Sequence, residues 1–349
     1  MKLRKPHRTS AEAFELPVIV QLDKNLYVAA FRVLKILPAR FILNRAIEAG
    51  KLPPKGIVIE TTSGTFGLGL ALVCNQLNYP LILVSDPVID PALKGRLEEL
   101  GTRVEIIRNP AEVGGFQGAR LARIAELQAE HTEHFWPSQY DNPHHPMAYA
   151  PLAELFVEAV GELDCLVGTV GSGGSMCGTS KYLREINPKL YTIGVDTQGS
   201  VLFGQPDQKR LVRGLGNSLM PKNLDHSVFD EIHWVSAAEA FKATRLLHRQ
   251  HALFMGGTSG AAYLVARWWA QQNPNATVVA ILPDEGYRYQ DTIYNDQWLR
   301  DQGAWLDQLP TEPKLVSYPI EVQSSWSRIR WQRRTYFQVL GHPFQQGGK

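Results

Sequence analysis

Lys35 has the surroundings in this chain that best suit a covalent role. Leu34 precedes it, and Ile36 and Leu37 follow. Pro38 is typical of the first turn of a helix, so Lys35 should lie just before a helix N-terminus. Apolar surroundings favour a neutral amine, because burying an ammonium ion costs solvation free energy, and a neutral amine can form a Schiff base with an aldehyde cofactor. A surface lysine whose aliphatic stem crosses the leucines would give the same pattern.

A run of glycine and serine follows the apolar stretch CLVGTV and opens a predicted helix. Glycine lets backbone N–H groups approach an anion closely, and a helix N-terminus adds a positive partial charge. The run matches neither the GxGxxG fingerprint nor a Walker loop, and a glycine-rich turn that binds nothing would look the same. As a phosphate-binding loop it comprises Gly171, Ser172, Gly173, Gly174 and Ser175.

Two further helix starts carry the same kind of small polar residue. The stretch IETTSGTFGLGLALV contains Thr62, Ser63, Gly64 and Thr65, and GGTSGAA contains Thr258. Each could be a simple N-cap, a position that serine and threonine favour in any case. Three such helix starts in one chain together indicate a small phosphate-bearing ligand that is held at several points.

Short apolar runs alternate with helical patterns over most of the chain. LILV and VVAIL are continuously apolar, which is typical of strands covered on both faces. We therefore predict an α/β fold with twisted, mostly parallel sheets flanked by helices, and ligands outside the carboxyl ends of the strands. The length suggests lobes over residues 1–150 and 151–300 with an extension over 301–349, and the first lobe could lend an early segment to the second.

The composition argues against several functional classes. The 349 residues carry a formal net charge of +2, too balanced to favour nucleic acid or an anionic membrane. The cysteines Cys74, Cys165 and Cys177 form no CxxC pair and suit reduced thiols in the cytoplasm. The histidines of HTEH and PHHP lack the spacing of helix-borne metal ligands, so we expect no metal site.

Five stretches, in order along the chain, resemble motifs of the fold type II pyridoxal-phosphate enzymes, the cysteine synthase and tryptophan synthase β family. ETTSGTFG is similar to E-x-T-S-G-N-T-G, SQYDNP to Q-F-x-N-P, GSGGS to G-T-G-G-T, GGTSGAA to G-I-S-S-G-A-A, and ILPDEGYRY to I-L-P-D-S-G-E-R-Y. VSDPVIDP, VGGFQGARLARIAELQ and GSVLFG look most like the siderophore-pathway branch, which condenses O-phosphoserine with glutamate to make an amino-carboxyethyl amino acid.

The resemblance implies a role for each candidate residue. Lys35 would hold pyridoxal 5'-phosphate through a Schiff base, and residues 171–175 would bind its phosphate. Thr258 would face the pyridine nitrogen, and Thr65 stands where the family has an asparagine that meets the ring hydroxyl. The residues that would bind the substrate carboxylate are Thr62, Ser63, Gly64 and Gln139.

The activity that the resemblance implies is a pyridoxal-phosphate-dependent β-replacement in a cytoplasmic homodimer. An O-acetyl- or O-phosphoserine would lose its activated oxygen to give an aminoacrylate, to which a sulfur or amine nucleophile adds. A serine/threonine dehydratase-like lyase is a second interpretation. A non-catalytic binding protein is a third, because AAFRVLKIL lacks the Asn, Ser, Asp and Arg of the family's N-P-x-x-S-x-K-D-R segment.

Overall fold

The chain is described by a computed structural model over residues 6–62, 64–112 and 115–344. It forms two compact units, with the boundaries at 16/17, 32/33 and 144/145. Of the described residues, unit 1 comprises those within 6–16 and 33–144, and unit 2 comprises 17–32 and 145–344. Among the described residues, no helix combines the length and apolar character that crossing a bilayer requires.

Strands and helices alternate along the chain as the apolar runs predict. The strands are β1 (Val18–Gln21), β2 (Leu26–Ala30), β3 (Ile57–Thr61), β4 (Leu81–Ser85), β5 (Arg103–Ile106), β6 (His134–Phe135), β7 (Cys165–Thr169), β8 (Tyr191–Asp196), β9 (Glu231–Trp234), β10 (Val278–Leu282), β11 (Lys314–Leu315) and β12 (Ser327–Arg330). The α-helices are α1 (Ser10–Ala13), α2 (Ile36–Glu48), α3 (Thr65–Leu77), α4 (Pro91–Glu99), α5 (Gly115–Glu130), α6 (His144–Met147), α7 (Ala150–Val160), α8 (Gly174–Ile186), α9 (Ala237–His251), α10 (Gly257–Gln272), α11 (Asp296–Asp301) and α12 (Tyr336–Leu340).

Unit 1 is built on a parallel sheet with the strand order β5-β4-β3-β6. Every residue of β4 is buried, as its continuously apolar sequence LILVS requires of a strand covered on both faces. Side chains of α2 and α3 pack in one apolar core with β3 and β4, including Ile36, Ile42 and Leu70. This core fixes the two helices whose first residues carry the candidate chemistry.

Unit 2 is built on an eight-stranded sheet with the order β1-β2-β10-β7-β8-β9-β12-β11. The strands from β2 to β9 are parallel, whereas β1 and β12 pair antiparallel with their neighbours β2 and β9. Helix α10 packs against this sheet, and its buried residues 257–266 form the centre of the core. The predicted α/β fold with mostly parallel sheets and flanking helices is confirmed.

Candidate active site

Lys35 lies directly before α2 and serves as its N-cap residue. Its carbonyl oxygen accepts a hydrogen bond from the Ala39 N–H at 3.2 Å. On the other side the same carbonyl lies against Gly69 of α3, where a Cβ atom would stand only 2.5 Å from the Lys35 oxygen. The backbone of Lys35 is therefore held between the first turn of α2 and a glycine of α3.

Lys35 is half-buried as a residue, and its amine has an unusual acidity. Burial lowers its pKa from 10.5 to about 8, because the surrounding protein disfavours the ammonium form. At pH 7 roughly a tenth of such amines are neutral, against roughly one in three thousand for an unperturbed lysine. Nucleophilic attack requires the neutral form, and this environment makes that form accessible at neutral pH.

The loop between β3 and α3 places small polar groups at a helix N-terminus. The Thr62 Oγ1 accepts a hydrogen bond from the Gly64 N–H at 3.1 Å, and Thr65 is the first residue of α3. A Cβ atom on Gly67 would stand 2.8 Å from the Thr62 Cγ2, so the first turn of α3 packs closely under the loop. Ser63 lies outside the described residues. The N-terminus of a helix carries a positive partial charge, so this helix start suits a carboxylate.

Gln139 is tied to the end of the same strand by a buried carboxylate, that of Glu60. Glu60 accepts hydrogen bonds from the Thr61 N–H at 2.7 Å, the Trp136 Nε1–H at 3.0 Å and the Gln139 N–H at 3.3 Å. Desolvation raises the pKa of Glu60 to about 7. The motif comparison assigned Glu60 no role. The signal that could have found it is a glutamate inside the mostly apolar strand IVIET, because a glutamate is rarely fully buried unless its carboxylate is paired.

In unit 2, the predicted phosphate loop joins β7 to α8 and leaves no room for a side chain at Gly173 or Gly174. Gly173, the N-cap of α8, has a φ of 79°, and a Cβ atom there would stand 2.7 Å from the Leu224 Cα. A Cβ atom on Gly174 would overlap the imidazole of His145. Ser172 is buried, and Ser175 follows in the first turn of the helix. Backbone N–H groups at positions such as Gly173 and Gly174, where only glycine fits, suit a phosphate group.

Thr258 lies in the first turn of α10 and is almost completely buried. The helix starts at the carboxyl end of β10, where the Gly256 N–H donates to the Asp284 carbonyl oxygen at 2.9 Å. Thr258 is therefore placed at the sheet edge where ligands of parallel α/β sheets bind.

A segment that sequence reasoning missed, Gly214 to Asn217, connects Thr258 to the phosphate loop within unit 2. The Asn217 side-chain amide donates to the Gly171 carbonyl oxygen at 3.3 Å. A Cβ atom on Gly214 would stand 3.7 Å from the Thr258 Cγ2 and one on Gly171 3.1 Å from the Gly214 oxygen. Gly214 and Gly216 have φ values of 78° and 71°, so the sequence GLGN carried a signal in its two glycines.

The candidate residues thus fall into two groups, each assembled within its own unit. Lys35, Gly69 and the Thr62–Thr65 loop belong to unit 1, together with Gln139, whereas residues 171–175 and Thr258 belong to unit 2. In both units the groups stand at helix starts or directly after parallel strands. The roles of these residues remain predictions. In the described part of the chain, no group of three or more His, Cys, Asp or Glu side chains could hold a metal ion.

The sequence model of the family described as pyridoxal-phosphate dependent enzyme matches residues 9–284. The chain belongs to this family. It is 32% identical over 293 residues to N-(2-amino-2-carboxyethyl)-L-glutamate synthase of Cupriavidus metallidurans, with 80% of this chain and 85% of the relative covered.

Solved structures of pyridoxal-phosphate-dependent enzymes agree with this assignment. The O-acetylserine-dependent cystathionine β-synthase from Helicobacter pylori is similar with a TM-score of 0.75 and 28% identity, covering 84% of this chain and 100% of that one. A hydrogen sulfide-producing enzyme from Fusobacterium nucleatum is similar with a TM-score of 0.75 and 26% identity, covering 81% and 100%. The predicted cofactor, pyridoxal phosphate, is confirmed, as is the class, a β-replacement transferase of the cysteine synthase family with a role in amino-acid biosynthesis.

The residues present fit this cofactor. The glycine-lined start of α8 suits its phosphate, and the amine of Lys35, with its lowered pKa, suits its aldehyde. Thr258 supplies a neutral hydroxyl where the resemblance expects a partner for the pyridine nitrogen.

Proposed function

We propose that the protein catalyses β-replacement on an O-activated serine, with Lys35 as the residue that carries the cofactor and moves the α-proton. The observation that supports this most directly is the low-pKa amine of Lys35, whose backbone is clamped between α2 and α3. Bound pyridoxal phosphate supplies an aldehyde that condenses with amines and a ring that acidifies the α-carbon. Lys35 then acts as general base: its neutral Nζ takes the α-proton of the substrate.

The remaining residues of unit 1 have binding roles in this proposal. The substrate carboxylate is held by N–H and hydroxyl groups of Thr62, Ser63 and Gly64 at the positive end of α3, and by the side chain of Gln139. Thr65, the first residue of α3, faces the cofactor ring. The support is the arrangement of described donors around the end of β3 and the resemblance of ETTSGTFG and SQYDNP to the family's motifs.

Unit 2 holds the cofactor's non-reacting parts in this proposal. Backbone N–H groups and hydroxyls of residues 171–175 bind the phosphate, and the Thr258 hydroxyl meets the pyridine nitrogen. A neutral hydroxyl there leaves the ring nitrogen largely unprotonated, which limits the ring's electron withdrawal and favours loss of a β-substituent over reactions that need a longer-lived carbanion. We also propose that the first lobe carries the lysine and the residues that bind the substrate carboxylate, and that the second lobe carries the phosphate-binding loop.

The donor and the nucleophile are proposed by analogy with the relatives. The Cupriavidus metallidurans relative is named for a product in which an amino acid nitrogen carries the three-carbon unit, which supports an amine nucleophile. The Helicobacter pylori enzyme is described as O-acetylserine dependent. We therefore propose O-phosphoserine or O-acetylserine as the donor and an amino acid amine or a sulfur compound as the acceptor.

Visible absorption and mass spectrometry test this proposal. The holoenzyme should be yellow, and borohydride reduction followed by peptide mapping should place the cofactor on Lys35. Lys35→Ala should lose both signals, whereas Lys51→Ala, a matched change at an exposed lysine of unit 1, should keep them. A colourless protein that takes up no added cofactor would instead support the non-catalytic alternative.

A matrix of donors and nucleophiles then identifies the reaction. Activated serines paired with glutamate, sulfide and homocysteine should give a new β-substituted amino acid with at least one pair, detected by its mass. Rapid release of pyruvate and ammonia from plain serine, without a replacement product, would favour the dehydratase alternative.

We further propose that the protein acts as a homodimer in the cytoplasm. Its three cysteines are buried free thiols, which suits a reducing compartment. Light scattering coupled to gel filtration tests the oligomeric state: a mass near twice 39.0 kDa is expected, and 39.0 kDa at micromolar concentration would contradict the dimer.

A further inference from the structure

The side chain of Glu60 joins the end of β3 to the turn that carries Gln139 in unit 1. It is 1% exposed, although it stands at the end of a strand whose other described residues are apolar or threonine. Both carboxylate oxygens are used: Oε1 accepts from the Thr61 N–H and the Trp136 Nε1–H, and Oε2 accepts from the Gln139 N–H. A carboxylate kept out of water needs such donors to offset its lost solvation.

The turn that receives this carboxylate is tightly closed. Ser138 has a φ of 48°, in the left-handed region that a serine rarely adopts. Its carbonyl oxygen accepts from the Asp141 N–H at 3.1 Å and the Asn142 N–H at 2.9 Å, and the Asn142 amide donates to the Pro137 oxygen at 2.8 Å. In this conformation the N–H group of Gln139 donates to Glu60.

Glu60 also stands two residues before Thr62, which with Gly64 forms the other half of the proposed carboxylate-binding site. Thr61 ends β3 and Thr62 begins the loop to α3. Glu60, which contacts the Gln139 turn, therefore lies at the end of the strand that leads directly into Thr62 and Gly64. A shift of the Glu60 carboxylate would therefore change the spacing between Gln139 and Thr62, without removing any group that is proposed to touch the substrate.

We propose that Glu60 is a positioning residue that fixes the Gln139 turn relative to Thr62 and Gly64 and so sets the enzyme's preference for a substrate with a free carboxylate. This rests on the proposed function in one respect, the assignment of Gln139 and Thr62 to the carboxylate. It does not depend on which donor or nucleophile is used.

The test is Glu60→Gln, which keeps the shape but places an amide NH₂ against an N–H donor. Holoenzyme is titrated with L-serine and with L-serinamide, which lacks the carboxylate, and the change in visible absorption gives a Kd for each. We expect at least a tenfold loss of the serine-over-serinamide preference in Glu60→Gln, with the amount of bound cofactor unchanged. Glu99→Gln, an exposed glutamate of α4, is the matched control and should keep the wild-type preference.

Kinetics with an activated serine give a second readout. In Glu60→Gln the KM for the donor should rise about tenfold while kcat falls less than threefold, because the reacting groups are untouched. An unchanged preference and KM in a cofactor-loaded Glu60→Gln protein would overturn the proposal, as would an equal loss of serine and serinamide binding.

Trp136→Phe keeps the test decisive if Glu60→Gln does not fold. It removes one donor to Glu60 and leaves the Gln139 contact, so the preference for serine should fall two- to threefold, and an unchanged preference would overturn the proposal. If wild-type holoenzyme binds serine but turns over no activated serine, the proposed reaction is contradicted. The Kd values for serine and serinamide in wild type and Glu60→Gln still test the proposal for Glu60.

Discussion

Gly69→Ala should destabilise unit 1 and impair Lys35, although alanine is the better helix former. A Cβ atom at position 69 would stand 2.5 Å from the Lys35 oxygen and 2.7 Å from the Lys35 carbonyl carbon. Those distances are well inside the ~3.5–4.0 Å at which non-bonded heavy atoms make their best contacts. Both neighbours are backbone atoms in buried surroundings, so relief requires α2 and α3 to move apart.

Two opposing terms set the magnitude. Replacing a glycine inside a helix by alanine stabilises it by about 1 kcal/mol through helix propensity. Forcing one extra carbon into a packed core costs about 1–3 kcal/mol. We expect the steric cost to win, with a net loss of up to about 2 kcal/mol in the free energy of unfolding. Because misplacement of a reacting group by about 1 Å can cost roughly a hundredfold in rate, kcat should fall at least tenfold.

Gly95→Ala in α4 isolates the propensity term. Its Cβ atom would meet nothing within 4 Å, so this variant should be about 1 kcal/mol more stable than wild type with unchanged kcat. The assay is urea unfolding of the holoenzyme, followed by circular dichroism and by the cofactor's visible absorption, with kcat measured on the same samples. If Gly69→Ala matched Gly95→Ala in stability and wild type in kcat, the clamp on Lys35 would be refuted.

Three further outcomes are expected. Gly173→Ala should weaken cofactor binding at least tenfold in equilibrium dialysis, because a φ of 79° and the Leu224 Cα at 2.7 Å both reject a side chain. In cofactor-free protein, the rate at which pyridoxal phosphate labels Lys35 should rise with pH with a midpoint near pH 8, since only the neutral amine reacts. Between about pH 8 and 10.5 the unfolded chain binds more protons at Lys35 than the folded protein does, so the contribution of Lys35 to stability grows as the pH rises through this range. A labelling midpoint near pH 10 would contradict this. Trp326→Phe should lower the free energy of unfolding by about 1–2 kcal/mol and leave kcat unchanged, because the buried His233 Nδ1 loses its donor at 2.9 Å; an unchanged urea midpoint would contradict it.

The sequence was sufficient where local pattern decides the structure. Strands such as β4 and β10 follow from apolar runs, and the starts of α3, α8 and α10 follow from small polar residues at the ends of those runs. These features depend on neighbours within a few residues, so they are visible in the chain itself.

Pairing partners far away in sequence could not be predicted. The sequence analysis allowed an early segment to join the second lobe, but no local pattern encodes that β2 of the β1–β2 hairpin pairs with β10. In the C-terminal stretch SSWSRIRWQRR, Arg328 forms an ion pair with the buried Glu231 of β9 at 2.7 Å, a partner that the local sequence does not reveal. Glu60 and the Gly214–Asn217 segment were missed for the same reason, since their importance lies in distant contacts.

The strand order of unit 2 has a consequence for synthesis on the ribosome. About 250 residues separate Leu26 of β2 from its partner Val278 of β10. At 5–20 residues per second, β2 waits roughly 12–50 s after translation for the strand that covers it. We therefore expect nascent chains of this protein to depend on a chaperone that shields the VIVQLDKNLYVAA hairpin until β10 leaves the exit tunnel.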